Sequence, residues 1–312
     1  LGLSWYLANT FNQTFDPQIS VSSGYTTIYL QTGYVRNTGL ELSLGYGHTW
    51  NNNFRWDSNF TLSHNKNKIK ELVRDYVHPE TGELINKDRL DVGGLGKARF
   101  ILKEGGTLGD LYTQSDLKRD DNGMVDIDPT GIVAIENNLP DIKLGSVFPK
   151  ANLAWSNHFS WKGISLSALF TARIGGIVYS ATEAAMDQYG VSERSALARD
   201  NGGVLVNNRT LVDAQNYYTT IGSESGLPQY YTYNATNVRL QEASIGYLIP
   251  RKWLGNVCDI QVSVIGRNLW MIYNKAPFDP ESVATTDNYY QGIDYFMLPS
   301  TRNIGFNVKI NF

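Results

Sequence analysis

The chain of 312 residues has one cysteine, Cys258. A single thiol excludes an internal disulfide and leaves the redox compartment unreadable. No stretch approaches the roughly eighteen consecutive apolar residues of a membrane-spanning helix. Charged residues make up only 18% and the net charge is −3, so nothing points to a nucleic-acid partner. The opening "LGLSWYLANT" has no Met and no signal-peptide pattern, and it is already strand-like, as if taken from the middle of a longer polypeptide. A long amphipathic helix is missing too: the best candidate, residues 181–198, holds no clean apolar stripe.

Chemical motifs are equally scarce. His48, His64, His78 and His158 do not stand at metal-ligand spacing from one another or from Cys258. Neither a G-x-S-x-G elbow nor a phosphate loop is present. The stretch Asp120–Asp128 invites a calcium reading. Aligning Gly123 with the obligatory glycine of an EF-hand loop, however, puts Lys118 in the first ligand slot. An acidic hairpin in a solvated loop fits better. The expectation is a protein that is not an enzyme and uses no metal or cofactor.

What is abundant is aromatic and alternating. Tyr, Phe and Trp number 19, 12 and 7. "LELSLGYGHTW" sets Leu40, Leu42, Leu44, Tyr46 and Trp50 against Glu41, Ser43 and Thr49. "ANLAWSNHFSW" sets Leu153, Trp155, Phe159 and Trp161 against Asn152, Ser156, His158 and Ser160. "LGLSWYLA", "FRWDSNFTLS", "GISLSALFTARI", "CDIQVSVIGRNLW" and the closing "NIGFNVKINF" behave alike. This is the period-two signal of strands with one apolar face. "KARFILK" and "TLGDLYTQ" are weaker candidates, and "NVRLQEASIGYLI" slips phase near Glu242 as at a bulge. The pattern predicts about ten strands of roughly 8–14 residues, longer than the usual mode.

Connections alternate in length. Short ones lie at 51–53, 162–163, 104–106 and 250–256; long ones at 9–36, 66–96, 115–149, 175–236 and 272–300. Short turns on one side and long loops on the other describe an up-and-down outer-membrane barrel. A soluble sandwich also alternates, with its apolar face inward. Strand length, aromatics at strand ends (Trp50, Phe54, Trp56, Trp161, Trp270) and a polar face rich in Ser, Asn, Thr and Gln favour the membrane.

The runs "NTGLELSLGY", "NFRWDSNFTLSHNKNKI", "DLYTQSDLKRDDNGMVDID", "VRLQEASIGYLIP", "VIGRNLW" and "DPES", in this order, resemble the late barrel of SusC/RagA-type TonB-dependent transporters. The resemblance covers nearly the whole chain. It implies an all-β fold: a transmembrane antiparallel barrel of the Bacteroidetes outer membrane, plugged and built of roughly 22 strands. Residues 1–312 would be its C-terminal part, lacking the plug, the TonB-contacting segment and the earlier strands. It further implies active import of a glycan, or in some members a peptide, with TonB and a SusD-like surface lipoprotein as partners. A passive porin-like channel and a secreted all-β glycan-binding module are the competing readings.

Two residue sets follow. A terminal strand ending on an aromatic looks like a barrel-assembly signal, which assigns that role to Gly305, Phe306, Ile310 and Phe312. The long loops are dense in tyrosine. Tyr217, Tyr218, Tyr230, Tyr231, Tyr289, Tyr290 and Tyr295 are the candidates for touching cargo or lid, because Tyr suits both sugar faces and protein interfaces.

Overall fold

The computed structural model describes residues 1–15, 29–77, 82, 84–255, 257–285 and 290–311; His78, Tyr289 and Phe312 lie outside this set. Eight long strands form one antiparallel sheet in which chain order is spatial order. They are β1 (Gly2–Phe15), β2 (Leu30–Thr49), β3 (Arg55–Glu71) and β4 (Ala151–Trp161). β5 (Ile164–Ile174), β6 (Asn237–Ile249), β7 (Asp259–Asn274) and β8 (Asn303–Asn311) complete it. Among the described residues, β1 and β8 each pair on one side only.

Register carries the alternation across strands. Trp56, Phe159, Leu166, Ile245, Val264 and Phe306 form one continuous row on one face. They are not covered: Leu166, Ile245, Val264 and Phe306 are 47%, 57%, 51% and 84% exposed. A sandwich would bury this face against a second sheet. Each large apolar side chain left in water instead forgoes about 1.5–3 kcal/mol, so a face of this kind requires lipid. Two indole N–H groups on it are paired within the sheet. Trp56 Nε1 donates to Asn157 Oδ1 at 3.1 Å, and Trp155 Nε1 donates to Ser58 Oγ at 3.0 Å. At the short-turn end Tyr46, His48, Trp50, Phe54, Trp56 and Phe159 are linked by ring contacts, and Lys162 Nζ lies over the Trp161 ring. This is an interfacial girdle.

The bulge expected near Glu242 is present. Leu169 pairs with Glu242 while Phe170 pairs with Leu240, which leaves Gln241 as the extra residue. Among the described residues the wall has eight strands rather than the expected ten or so. The segments Ala98–Lys103 and Asp110–Thr113 belong to a separate four-stranded sheet with Arg89–Leu95 and Ile142–Ser146. The Glu104–Gly106 turn is also misassigned by turn parity. It sits at the loop end, where Gly105 N–H donates to Ile69 C=O and Ile69 N–H donates to Gly106 C=O, both at 2.9 Å.

The long loops fold together. Phe100, Leu111, Val147, Tyr179, Ala184, Ile221, Leu227 and Tyr231, drawn from two loops, and Ile293 from a third share one buried core. Three short helices pack into it: α1 (Ala181–Gln188), α2 (Glu193–Asp200) and α3 (Ala214–Gly222). Ser180, Ser192 and Asp213 cap them by accepting from backbone N–H groups of the first turn. The single helix considered over 181–198 is thus two, separated at Gly190, whose φ is +67°. The α1–α3 contact needs a glycine, since a Cβ at Gly222 would lie 2.6 Å from Ala184 C=O. Val35 and Ile69, on the polar-face parity of β2 and β3, pack with Leu90 and Leu102 of the loop sheet. The loop body therefore leans on the inner side of the wall.

Candidate functional site

The polar face is the inner wall. Ser4, Glu41, Ser63, Asn152, Arg173 and Asn237 stand in one register row across six strands. Its members from Ser4 to Arg173, with Thr61, Thr171, Gln241 and Glu281, line a concavity of about 690 Å³. Lower down, Asp57, Asn59, Ser156, His158, Ser167 and Glu242 line a smaller hollow of about 230 Å³. His158 does face the lumen, as its parity requires. No group of three or more metal-ligating side chains occurs among the described residues.

Ion pairs fasten the last loop to this wall. Arg239 on β6 is buried and holds Asp279 at 2.8 Å and Glu281 at 3.0 Å. Asn237, also buried, accepts from the same guanidinium. A buried charge needs such full pairing, because desolvation without it costs several kcal/mol. The "DPES" segment thus has a structural job visible only in three dimensions. The acidic stretch around Gly123 is likewise occupied with turns. Asp120 accepts from the backbone N–H groups of Asn122 and Met124, Asp128 accepts from Thr130 and Ile132, and Lys118 pairs with Asp126 at 2.7 Å. Hydrogen bonds from Thr130 and the backbone hold the Asp128 carboxyl below its usual range.

The loop tyrosines separate into two groups. Tyr231 is fully buried, so it is a core residue and not a contact surface in this structure. Its hydroxyl donates to Asp187 Oδ2 at 2.9 Å, the Arg194 guanidinium lies over its ring, and burial drives its pKa far up. Tyr217, Tyr218 and Tyr230 pack against the same core. Tyr217 and Tyr218 meet edge to face at 5.4 Å, and burial pushes the Tyr217 hydroxyl up to about 12. Tyr290 and Tyr295, by contrast, are 43% and 52% exposed. Tyr295 lies against Phe296, and the run continues through Met297 to Leu298, which is 87% exposed. Met297 and Leu298 were passed over in the sequence, since an apolar pair in a loop has no period to mark it. Gly305, Phe306 and Ile310 lie on the exposed last strand.

A sheet with a lipid-seeking outer face, a polar inner face, short turns at one end and a folded loop body at the other is a segment of an outer-membrane β-barrel. The comparisons sharpen that class. No family model matches the chain. It is 25% and 24% identical, over 99% of its length, to TonB-dependent receptors P3 and P26 of Formosa agariphila, and covers 32% of each. It therefore spans about a third of the length of the curated relatives it matches. Its fold matches chains in structures of the RagAB peptide transporter and of the RagAB peptide importer in the closed-closed state. The TM-scores are 0.69 and 0.67 at 18% identity, covering 99% of this chain and 33% of each of those. The chain thus resembles TonB-dependent receptors in sequence and the RagAB transporter in fold. These relatives are receptors and transporters rather than enzymes.

Proposed function

We propose that residues 1–312 form the C-terminal part of the barrel of an outer-membrane TonB-dependent importer. Further strands would complete the wall along the open edges of β1 and β8, which cannot stay unpaired in lipid at several kcal/mol for each backbone group. A plug and a TonB-contacting segment would lie in the remainder of the protein. A SusD-like lipoprotein would cover the mouth, with the exposed run Tyr295–Leu298 and Tyr290 as contact candidates. The cargo reading is a glycan, supported by the hydroxyl- and carboxamide-rich inner wall. A peptide is the second reading, favoured by the fold match to structures described as a peptide importer. The observation that carries import is the whole-length similarity to TonB-dependent receptors.

A passive porin would work without energy coupling, and a secreted module would not present the uncovered apolar face. The test is uptake by cells carrying the full-length protein, with and without TonB. Loss of uptake in the TonB-deficient strain at unchanged surface abundance supports import. Equal uptake in both strains would establish a passive channel.

A further inference from the structure

The inner wall holds a further hollow in which part of the polar lining is without a partner among the described residues. Tyr6, Asn37, Glu41, Asn65, Asn67 and Asn152 line a cavity of about 460 Å³, with Leu108 and Phe148 of the loop body on its other side. Asn37 stands twelve residues along β2 from its turn-end residue Thr49. That is about 40 Å of strand at ~3.3 Å per residue, which places the hollow near the mouth.

Tyr6 is its aromatic floor. It pairs with Gly39 across β1 and β2, and a Cβ on Gly39 would sit 2.2 Å from Tyr6 Cζ. The ring therefore lies directly over the glycine backbone and is half-buried. Around it, Asn37 Oδ1 accepts from Asn65 Nδ2 at 3.2 Å and from Asn67 Nδ2 at 2.9 Å, and Asn67 Oδ1 accepts from Leu108 N–H at 2.9 Å. This orients the carboxamides and leaves the Asn37 amide nitrogen and the Asn65 carbonyl oxygen without a partner among the described residues. Glu41 forms no ion pair among the described residues, whereas Asp57 pairs with Arg55 and Glu242 with Arg267 elsewhere on the inner wall.

We propose that this hollow is a cargo subsite for a polyhydroxylated, glycan-type ligand; the proposal rests on the import reading above. Carboxamides and a carboxylate offer paired donors and acceptors for adjacent sugar hydroxyls, and a tyrosine face receives the C–H face of a pyranose ring. Among the described residues no lysine or arginine lines the hollow to meet a peptide carboxylate.

The test is titration calorimetry on the full-length transporter purified with its partner. The probes are cello-, laminari- and mannohexaose, an oligouronate hexamer and a set of mixed-sequence decapeptides. Tyr6→Ala is expected to weaken saccharide binding about tenfold, the scale of one aromatic contact. Gly39→Ala, which displaces the ring without touching cargo, should act in the same direction. Tyr6→Phe, which keeps the ring, should bind as wild type. If Gly39→Ala impairs assembly, Tyr6→Ala decides alone, since its side chain faces the lumen. Unchanged saccharide affinity in Tyr6→Ala overturns the subsite and leaves import of a glycan standing. A wild type that binds peptides and no saccharide overturns the glycan reading and the subsite with it.

Discussion

The chain carries two hydrophobic surfaces that point opposite ways. On the barrel wall Leu3 and Phe306 are 67% and 84% exposed; in the loop body Leu111 and Phe100 are completely buried. Residue types are the same. What differs is the medium each region meets. The loop body lies beyond the lipid-facing rows and gathers its apolar groups inward from three separate loops. The wall faces hydrocarbon and turns them outward, keeping Ser, Thr and Asn for the lumen. The two regions are therefore stabilised by different interactions and should fail independently.

The largest expected effect separates them in the loop body. Phe100→Ala should cost about 3–5 kcal/mol of local stability, the usual range for emptying a core aromatic site. Hydrogen exchange and limited proteolysis of residues 98–147 should report it, while the heat-modified mobility of the folded barrel stays unchanged. A loss of barrel assembly would mean that the regions are coupled.

On the wall, Val264→Arg should cost about 2–4 kcal/mol near the bilayer midplane, and its neighbour Ser263→Arg much less because it faces the lumen. Urea titration of the reconstituted protein compares the two. The reverse order would invert the facing.

At the proposed lipoprotein contact, Phe296→Ala combined with Leu298→Ala should weaken lipoprotein retention by about 2 kcal/mol if this run is a hot spot. Co-purification at equal surface abundance measures it, and full retention would show that the run is not a contact.

The smallest effect is a response to acid confined to the loop body. Asp141 accepts from Arg89 at 2.7 and 3.0 Å and pairs with Lys103 at 2.9 Å, and the Arg89 hydrogen bonds in particular hold its carboxyl far below the ordinary range. A depressed folded pKa contributes stability that is complete above the unfolded value near 4 and is lost as pH falls toward the folded value. Protection at 89–146, corrected for the intrinsic pH dependence of amide exchange, should therefore be level above about pH 4 and fall as pH drops from about 4 toward 2. A loss of protection beginning near neutrality would point to a different group.

The wall was legible in the sequence because a fixed period of two over many residues has one physical explanation. Even the bulge at Gln241 showed as a slip of phase. The loop body was not legible, because its strands are short. "KARFILK" carries an apolar run that suits a soluble core and a lipid-facing strand equally, and only the pairing with Asp110–Thr113 decides. α3 was missed because its core contacts, Ile221 and Gly222, come from a nine-residue segment too short to show a helical period. Tyrosine content marked the loops correctly as aromatic-rich but could not tell Tyr231, capped by Asp187, from Tyr295 at the surface. Tyr6 was passed over among the outward Trp5 and Leu7; its signal was the glycine opposite it, Gly39, which only register reveals.

The central claim is that the uncovered apolar face of the eight-stranded sheet contacts lipid. Nitroxide labels placed one at a time from residue 260 to 266 of the full-length protein in liposomes test it directly. The account predicts that oxygen accessibility is high at 260, 262 and 264, and that accessibility to a water-soluble nickel chelate is high at 261, 263 and 265. Equal nickel accessibility on both sets would contradict it.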